Sequence, residues 1–261
     1  MVIVMKKTSI ILLSVLAVLL SSCGTKEITD PHEGYKVIEQ VTSNLVKLSS
    51  LTFKSVSHSS NHIDYEYITE TNTKVEFYSN NAVYRVSKII GLYDDQRGRG
   101  IKEYNNEAYA KLENGYITVY SVNDGVSSKY VGEYKGTIDE LYLSYFPEHI
   151  LIGEADTIYE TWDGYLFNSK EEEHKEFTFP NMNVEGTLIQ DIKSEYNMNV
   201  NKGYQAISAS YDRKQKQNFY TEETDYILLD ELKVESNYNY TMNIEYKERT
   251  EDTEVIKRFE G

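Results

Sequence analysis

The side chains that could act as metal ligands or catalytic groups are spread along this chain without forming a recognisable motif. His58 and His62 are four residues apart, which on a helix would place two metal-binding imidazoles on one face. The sequence Ser-Ser-Asn at residues 59–61 instead indicates a strand, a turn and a second strand. His149 and His174 adjoin glutamates, which is typical of solvated surface positions.

The motifs that organise common catalytic sites are also missing from the sequence. There is no metalloprotease helix, phosphate-binding loop, nucleophile elbow or dinucleotide fingerprint. Carboxylates are abundant, but no two of them are spaced as an acid–base pair. We therefore expect a non-enzymatic protein with no metal and no cofactor. Catalysis stays a third hypothesis, which a buried cluster of carboxylates or histidines would revive.

The single cysteine, Cys23, stands where it could be modified chemically. Two lysines precede an apolar run over residues 10–20, and Ser21 and Ser22 lead into the cysteine. A positive segment, a short apolar segment and small residues before a cleavage point are the features of an export signal. The apolar run is too short to span a bilayer comfortably, since a transmembrane helix takes about 20 apolar residues.

The sequence Leu20-Ser21-Ser22-Cys23 resembles the lipobox of bacterial lipoproteins. This resemblance implies cleavage before Cys23, attachment of diacylglycerol to the cysteine sulfur, and anchoring of the mature chain by acyl groups such as palmitate. The protein would then lie in the cell envelope, on the extracytoplasmic side of a bacterial membrane. The alternative is an ordinary secretory signal in which the cysteine is incidental.

The chain divides into three parts on this interpretation. Residues 1–22 are the signal peptide, residues 23–30 are the lipidated cysteine and a short tether, and residues 31–261 form a single domain. Because both basic residues of the signal are lost and all 42 acidic residues remain, the formal charge of −15 becomes −17 after cleavage. Such a charge is repelled by phosphate backbones, so nucleic acid is excluded as a partner. The sequence does not indicate an oligomeric state.

A capped amphipathic helix is predicted at the start of the domain. Asp30 followed by proline is typical of a helix N-terminus. Ile38, Val41, Leu45 and Leu48 then form one apolar stripe, which Val37 and Val46 widen. A second, short helix is predicted to begin at Thr137, with Glu140 completing a capping box and Pro147 ending the helix.

Most of the remaining chain is predicted to be β-strand, because it contains 24 tyrosines and long runs with a period of two. The clearest run is 238–246, where tyrosine, methionine and isoleucine alternate with polar residues. Short turns are predicted at Asn80-Asn81 and Asn114-Gly115, separating strands of an antiparallel meander. Strands are expected at 51–57, 63–70, 73–79 and 253–259, while 93–100 is expected to be a loop and 171–175 a charged connection.

The order of these parts resembles bacterial lipoproteins of the lipoprotein-carrier type. That order is a lipobox, a capped helix leading into Leu-Ser-Ser-Leu-Thr-Phe-Lys, a meander of strands, a tyrosine-rich Asn-Gly hairpin and a short middle helix. The resemblance implies an α+β fold in which a curved antiparallel sheet, like half of a barrel, packs against the two helices. It also implies a cavity that binds acyl chains.

The leading hypothesis is therefore non-enzymatic binding of a lipid or another apolar or amphipathic ligand between sheet and helices. The alternative is a structural or interaction lipoprotein that binds a protein or a wall polymer through its acidic, tyrosine-rich surface. The ordinary role of tyrosines on a sheet, in the core or in cross-strand ladders, stays open beside both. The residues predicted to line the ligand site are Ile63, Tyr65, Tyr67, Tyr238, Tyr240, Met242, Ile244 and Tyr246.

Overall fold

The structure, a computed structural model, describes residues 25–61, 66–95, 98–137, 140–141, 156–181, 184–222, 231–253, 255 and 257. Over these ranges the chain forms one antiparallel sheet and one long helix. No helix in this part of the chain is both long and apolar enough to cross a membrane.

In the part of the chain that the structure describes, the sheet has twelve strands, and they are ordered largely as they follow one another in sequence. The elements are β1 (Lys26–Glu27), α1 (Pro31–Leu45), β2 (Ser50–Asn61), β3 (Glu66–Phe77), β4 (Ala82–Asp95), β5 (Gly98–Glu113), β6 (Tyr116–Asn123), β7 (Val126–Glu133), β8 (Thr157–Glu160), β9 (Gly164–Asn181), β10 (Val184–Asn201), β11 (Ala206–Glu222) and β12 (Glu231–Glu245). The spatial order is β1-β8-β9-β10-β11-β12-β2-β3-β4-β5-β6-β7. Since β1 and β7 are the two edges and do not pair with one another within the described residues, the sheet is open there.

This architecture agrees with the prediction of a β-rich protein that also contains helix. The structure is mostly antiparallel sheet with one helix packed on it, which is consistent with an α+β fold. The half-barrel curvature that the resemblance implied stays a prediction.

Helix α1 begins where the sequence predicts. The Asp30 carboxylate accepts a hydrogen bond of 2.9 Å from the backbone N–H of His32, and Pro31 occupies the first turn. The acidic Glu33 in the same turn interacts favourably with the positive end of the helix dipole. The cap and the proline together explain why the helix starts at this residue.

The apolar stripe of α1 packs against one face of the sheet, which we call the helix face; Met198 and Met242 belong to it. Val37, Val41 and Leu45 are buried. Leu48, just after the helix, is buried too, while Ile38 is partly buried. The predicted stripe is thus confirmed, with its centre shifted towards Val37. A helix of 15 residues is marginal alone, so this packing is what stabilises it.

The core beneath α1 is a continuous set of aliphatic, methionine and aromatic side chains. Its largest members are almost completely withdrawn from solvent, and each contributes about 1.5–3 kcal/mol by burial. The members that come from the sheet are Leu51, Val75, Phe77, Val83, Ala110, Ile158, Phe167, Tyr196, Met198, Val200, Ala206, Ala209, Tyr211, Tyr240, Met242 and Ile244.

The segment after β12 connects the end of the helix to the sheet. Arg249 donates from Nε to the carbonyl of Leu48 at 2.9 Å and from Nη2 to the carbonyl of Val46. The backbone N–H of Ser79 donates to the carbonyl of Thr250 at 2.9 Å. These bonds satisfy carbonyl groups that follow the helix and hold the C-terminal segment against the β3–β4 turn.

Asp252 is the one charged residue among the described residues that is fully buried, with 2% of its surface exposed. Its carboxylate accepts hydrogen bonds from the Tyr109 hydroxyl and the Asn80 side-chain amide. Tyr109 packs with Ala82 and Tyr84 on the face opposite α1, and the smaller apolar cluster there includes Val255. The C-terminal segment therefore covers the second face of the sheet near β4 and β5.

The predicted tight turns are confirmed by their backbone angles. Asn114 and Gly115 have φ values of 53° and 79°, the positive pair that a two-residue hairpin turn of type I′ requires. Asn81 also has a positive φ, of 59°. Asparagine and glycine were the informative residues because they tolerate this conformation at the least cost.

Three predicted connections are wrong. Residues 59–61, expected as a turn, are the last residues of strand β2. Residues 93–100, expected as a loop, instead belong largely to β4 and β5, where Asp94 and Arg99 are opposite one another in register. Residues 171–175, expected as a charged connection, lie in the middle of β9. Glu172 and Lys193, which are paired in this register, have their charged atoms 3.1 Å apart. Cross-strand pairing of opposite charges allows a strand where the charge density suggested a loop.

Other boundaries also differ from the sequence prediction. The stretches 66–70 and 73–77, expected in two separate strands, form the single strand β3. Thr253, Val255 and Lys257 are helical, so the final strand predicted at 253–259 is wrong for these residues. Lys26 and Glu27 pair with β8, and the Ile28 N–H donates to the Ile158 carbonyl at 2.8 Å. Part of the predicted tether is therefore bonded to the sheet.

The capping box of the second predicted helix is present. The Thr137 N–H donates to a Glu140 carboxylate oxygen at 2.7 Å, and the Glu140 N–H donates to the Thr137 hydroxyl at 3.2 Å. Glu140 and Leu141 are helical. The rest of this predicted helix, including Pro147, lies outside the described residues.

Candidate ligand-binding cleft

The residues predicted to line a ligand site on β12 do share one face. Tyr238, Tyr240, Met242, Ile244 and Tyr246 are buried or partly buried, whereas the residues between them are exposed. The register places Tyr67 of β3 on the same helix face. Ile63 and Tyr65 lie outside the described residues. Whether this face contacts a ligand stays a prediction.

The part of this face nearest α1 is packed with side chains. Tyr240 and Met242 are each 1% exposed and belong to the core, as does Ile244. Four aromatic rings from neighbouring strands lie next to one another at the border of this core, and we call them the aromatic row. They are Tyr196, Tyr211, Tyr240 and Phe53. The Tyr211 and Tyr240 rings stack with centroids 5.5 Å apart, and Phe53 is 5.2 Å from Tyr240.

A cleft of about 570 Å³ begins where the aromatic row ends on β10 and β11. It lies over the helix face of β9, β10 and β11, past Asn168, the residue of β9 that pairs with the first residue of β8. Ile192, Tyr196 and Tyr211 supply its apolar surface, and the other residues are polar. The full lining is Asp156, Ser169, Lys170, Glu171, Glu173, Lys175, Ile192, Ser194, Tyr196, Tyr211 and Arg213.

Asp156 fixes one side of the cleft at the edge of the sheet. Its carboxylate oxygen Oδ2 accepts hydrogen bonds from the Ser169 hydroxyl at 2.8 Å and from the Lys170 backbone N–H at 3.1 Å. The last pair between β8 and β9 is Thr157 with Asn168, so this carboxylate satisfies a backbone donor just beyond the ladder. The aspartate therefore has a structural role in defining the cleft.

The cleft carries fixed charges of both signs. Glu173 forms an ion pair with Lys175, and the Ser194 hydroxyl donates to Glu171 at 3.5 Å. The hydrogen bond from Lys175 lowers the pKa of Glu173, with a further contribution from the positive charge of Arg213. Glu173 is therefore ionised at neutral pH, and acidic and basic groups face the same space.

Arg213 stands between the aromatic and the charged parts of the cleft. On β11 it follows Tyr211 by two residues, and in register it lies opposite Ser194 on one side and Tyr238 on the other. Its Nη2 donates to Gln215 at 3.2 Å. Its Nε donor is shielded from solvent and has no acceptor among the described residues. The guanidinium thus keeps spare donor capacity beside a row of tyrosines.

Most cleft residues were not identified from the sequence, because 171–175 was predicted to be a connection. A usable signal was present in the neighbouring strand. Ile192, Ser194 and Tyr196 alternate with charged and amide residues, and the facing odd-numbered residues of β9 would have followed once these strands were paired. The pairing itself was not predictable from either strand alone.

His58 and His174, the two singled-out histidines that the structure describes, do not line the cleft. His174 Nδ1 lies 2.7 Å from Asp191 Oδ1 on the opposite face of the sheet, and both side chains are exposed. His58 Nε2 lies 3.2 Å from Glu66. His62 and His149 are outside the described residues. Within the described ranges, no three histidine, cysteine or carboxylate side chains are grouped so that they could hold a metal ion.

Comparison with known proteins adds little. No protein-family model matches the chain. No curated protein matches it either. Among solved structures, the crystal structure of LprF from Mycobacterium bovis aligns with 84% of this chain and 94% of the LprF chain, with a TM-score of 0.31 and 7% sequence identity. A similarity at this level supports no conclusion about fold or function.

Proposed function

We propose that this protein is a lipid-anchored, extracytoplasmic binding protein of a bacterial cell envelope, acylated at Cys23, that holds an amphipathic ligand without catalysis. The proposed ligand site is the cleft beside the aromatic row. The observation that carries the proposal is the position of the Arg213 guanidinium in the cleft lining, between tyrosine rings and fixed charges of both signs.

The geometry favours an amphipathic ligand over a purely apolar one. The apolar surface near α1 is occupied by the protein's own side chains, whereas the open space is lined mainly by polar residues. An acyl chain buried among carboxylates and lysines would forfeit the hydrophobic gain of about 25 cal/mol per Å². A ligand whose apolar part rests on Tyr196 and Tyr211, and whose head group carries both charges, matches the lining better.

Binding is tested by titrating the chain 25–261 with a short-chain zwitterionic phosphocholine below its micelle concentration. Octyl glucoside, which has no charge, and a short-chain anionic phosphatidic acid are the comparison ligands. Arg213→Gln should weaken phosphocholine binding about 10–100-fold, because it removes a charge-assisted bond worth about 1.5–3 kcal/mol.

Lys214→Gln is the matched control, because Lys214 is the next residue on β11 and its ammonium pairs with Asp212 at 3.7 Å on the opposite face. It should bind like the wild type. Equal affinities for both variants, or no saturable binding of any of the three amphiphiles, would contradict the proposed site.

The anchor is tested separately by metabolic labelling with palmitate. The wild-type chain should incorporate the label and Cys23→Ala should not. If both chains stay unlabelled while a known lipoprotein of the same cells is labelled, the anchor is wrong.

A second candidate function is binding of a partner protein at the edge strand β7. Val126, Tyr130 and Val131 of this strand are exposed, and its outer backbone groups have no neighbouring strand among the described residues. An extended segment of a partner could add to such an edge. Val131→Lys should abolish partner recovery from envelope extracts, whereas Ile101→Lys, at another exposed position, should not. Recovery unchanged by Val131→Lys would exclude this edge.

A further inference from the structure

Trp162, in the turn between β8 and β9, is one of the most exposed large apolar side chains among the described residues. It is 76% exposed and is the single tryptophan of the chain. An isolated exposed tryptophan loses the hydrophobic gain that its large ring could provide, and indole is the side chain that membrane interfaces favour most clearly.

The turn that carries Trp162 is held firmly in place. The Thr161 N–H donates to the Gly164 carbonyl at 2.8 Å, and the Thr161 hydroxyl donates to Asp163 at 2.8 Å. The Lys202 N–H, from the neighbouring β10–β11 turn, donates to the Asp163 carbonyl at 3.1 Å. The exposed ring therefore projects from a turn that is held by hydrogen bonds.

Gly164 adds a steric constraint on the same turn. A β-carbon at this position would lie 1.9 Å from the carbonyl oxygen of Val200. The close approach of β9 to β10 is therefore possible only with glycine, and it sets where the turn leaves the sheet.

The beginning of the described chain lies beside this turn. Lys26 pairs with Glu160 and Glu27 with Tyr159, in antiparallel register. Trp162 is two residues beyond Glu160. Cys23 is three residues before Lys26, and three residues of extended chain reach at most about 11 Å. An acyl group on Cys23 would therefore be tethered close to the turn that exposes Trp162.

We propose that Trp162 inserts into the membrane interface next to the acyl anchor and orients the domain on the bilayer. This inference rests on the proposed acylation of Cys23. A neutral aromatic contact suits a mature chain with a formal charge of −17, which anionic lipid head groups repel. The lipid surface is thus contacted through the indole and the acyl chains.

This orientation would place the cleft above the membrane. The β9 residues that line it, Ser169 to Lys175, are 5 to 11 residues from Gly164 along the strand. At a rise of about 3.3 Å per residue, they lie about 15–35 Å from the turn. A ligand bound there would be held clear of the bilayer surface.

The fluorescence of the single tryptophan tests this contact directly. The acylated mature protein, residues 23–261, is reconstituted into phosphatidylcholine vesicles, with and without brominated acyl chains, and vesicle flotation is measured on the same samples. We expect the emission to shift to shorter wavelength on reconstitution, and we expect the brominated lipid to quench most of it. The non-acylated chain 25–261 should keep the emission of an indole in water.

The control places the tryptophan at the far edge of the sheet. In the double variant Trp162→Phe and Tyr130→Trp, the reporter lies on β7, at an exposed position. Its emission should not be quenched by brominated lipid.

Three results would overturn the inference. If the wild type floats with the vesicles but its emission is not quenched, the anchor stands and the tryptophan contact is wrong. If both reporters are quenched equally, the domain has no preferred orientation. If the protein does not float with the vesicles, the proposed anchor is wrong, and the inference that rests on it is wrong as well.

Discussion

Tyr109→Phe removes one hydroxyl from the most buried polar contact between the sheet and the C-terminal segment. Tyr109 is 1% exposed, and its hydroxyl donates to the carboxylate of Asp252. The substitution leaves the ring and its packing against Tyr120 in place, with centroids 6.2 Å apart in the wild type. Asp252 then keeps only Asn80 among the described side chains that donate to it.

The expected cost follows from the charge and the burial of Asp252. A hydrogen bond to a charged group contributes about 1.5–3 kcal/mol, and a buried acceptor that loses a donor adds a desolvation penalty. We therefore expect the free energy of unfolding to fall by about 2–3 kcal/mol. For a domain of this size that corresponds to a thermal midpoint lower by roughly 4–12 °C.

Urea unfolding of Tyr109→Phe and of Tyr116→Phe provides the assay. Tyr116 is a half-exposed tyrosine on β6, so losing its hydroxyl should change the stability by less than about 0.5 kcal/mol. In the variant Asp252→Asn, the further effect of Tyr109→Phe should shrink, because the charge is gone. A Tyr109→Phe midpoint equal to that of Tyr116→Phe would refute a structural role for this contact.

The same contact predicts a loss of stability at alkaline pH. Burial, followed by the hydrogen bond to Asp252, raises the pKa of Tyr109 well above its usual value near 10. Below pH 10 the tyrosine is protonated in both states and its contribution is complete. Above pH 10 the unfolded tyrosine ionises first, so the free energy of unfolding falls with a limiting slope of about 1.4 kcal/mol per pH unit.

Two partly buried tyrosines contribute to this alkaline loss as well. Hydrogen bonding to Tyr204, together with burial, raises the pKa of Tyr165 to about 12, and burial raises that of Tyr246 to about 12. Tyr109→Phe should therefore reduce the slope above pH 10 without abolishing it. An unchanged slope would show that Tyr109 does not titrate differently in the two states.

Three further predictions concern the core, a turn and the surface. Met242→Ala should lower the free energy of urea unfolding by about 2–5 kcal/mol, whereas Thr241→Ala, on the exposed side of the same strand, should cost far less; equal losses would contradict the assigned faces. Gly115→Ala should cost about 1–2 kcal/mol in the same assay because its φ of 79° is strained for alanine, and no loss would argue against the type I′ turn. Lys193→Ala, which breaks an exposed ion pair with Glu172, should change stability by no more than about 1 kcal/mol in thermal unfolding. A larger loss would contradict the exposed position of this pair in the structure.

Local sequence signals predicted the elements that depend on local chemistry. Asp30 and Pro31 located the start of α1, and Asn114-Gly115 located a hairpin, because capping and positive φ are properties of one or two residues. The alternation along 238–246 predicted which side chains of β12 face the core. In each case the signal and the structure lie within the same short segment.

Pairing between distant strands could not be predicted in this way. Residues 171–175 are too charged to suggest a strand, and they are extended because Lys193 and Glu195 of β10 pair with the charges of β9. The cleft depends on this pairing, so its residues were missed together with the strand. The burial of Asp252 and its hydrogen bonds could not be predicted either, since its partners Asn80 and Tyr109 are more than 140 residues away in the sequence.

Native mass spectrometry of the chain 25–261, purified from cells and measured before and after extraction with organic solvent, tests ligand binding most directly. We predict an additional mass that extraction removes, that Lys214→Gln retains and that Arg213→Gln loses. A bare chain in every sample would contradict a ligand-binding function for the cleft. An adduct retained equally by Arg213→Gln would contradict the proposed site.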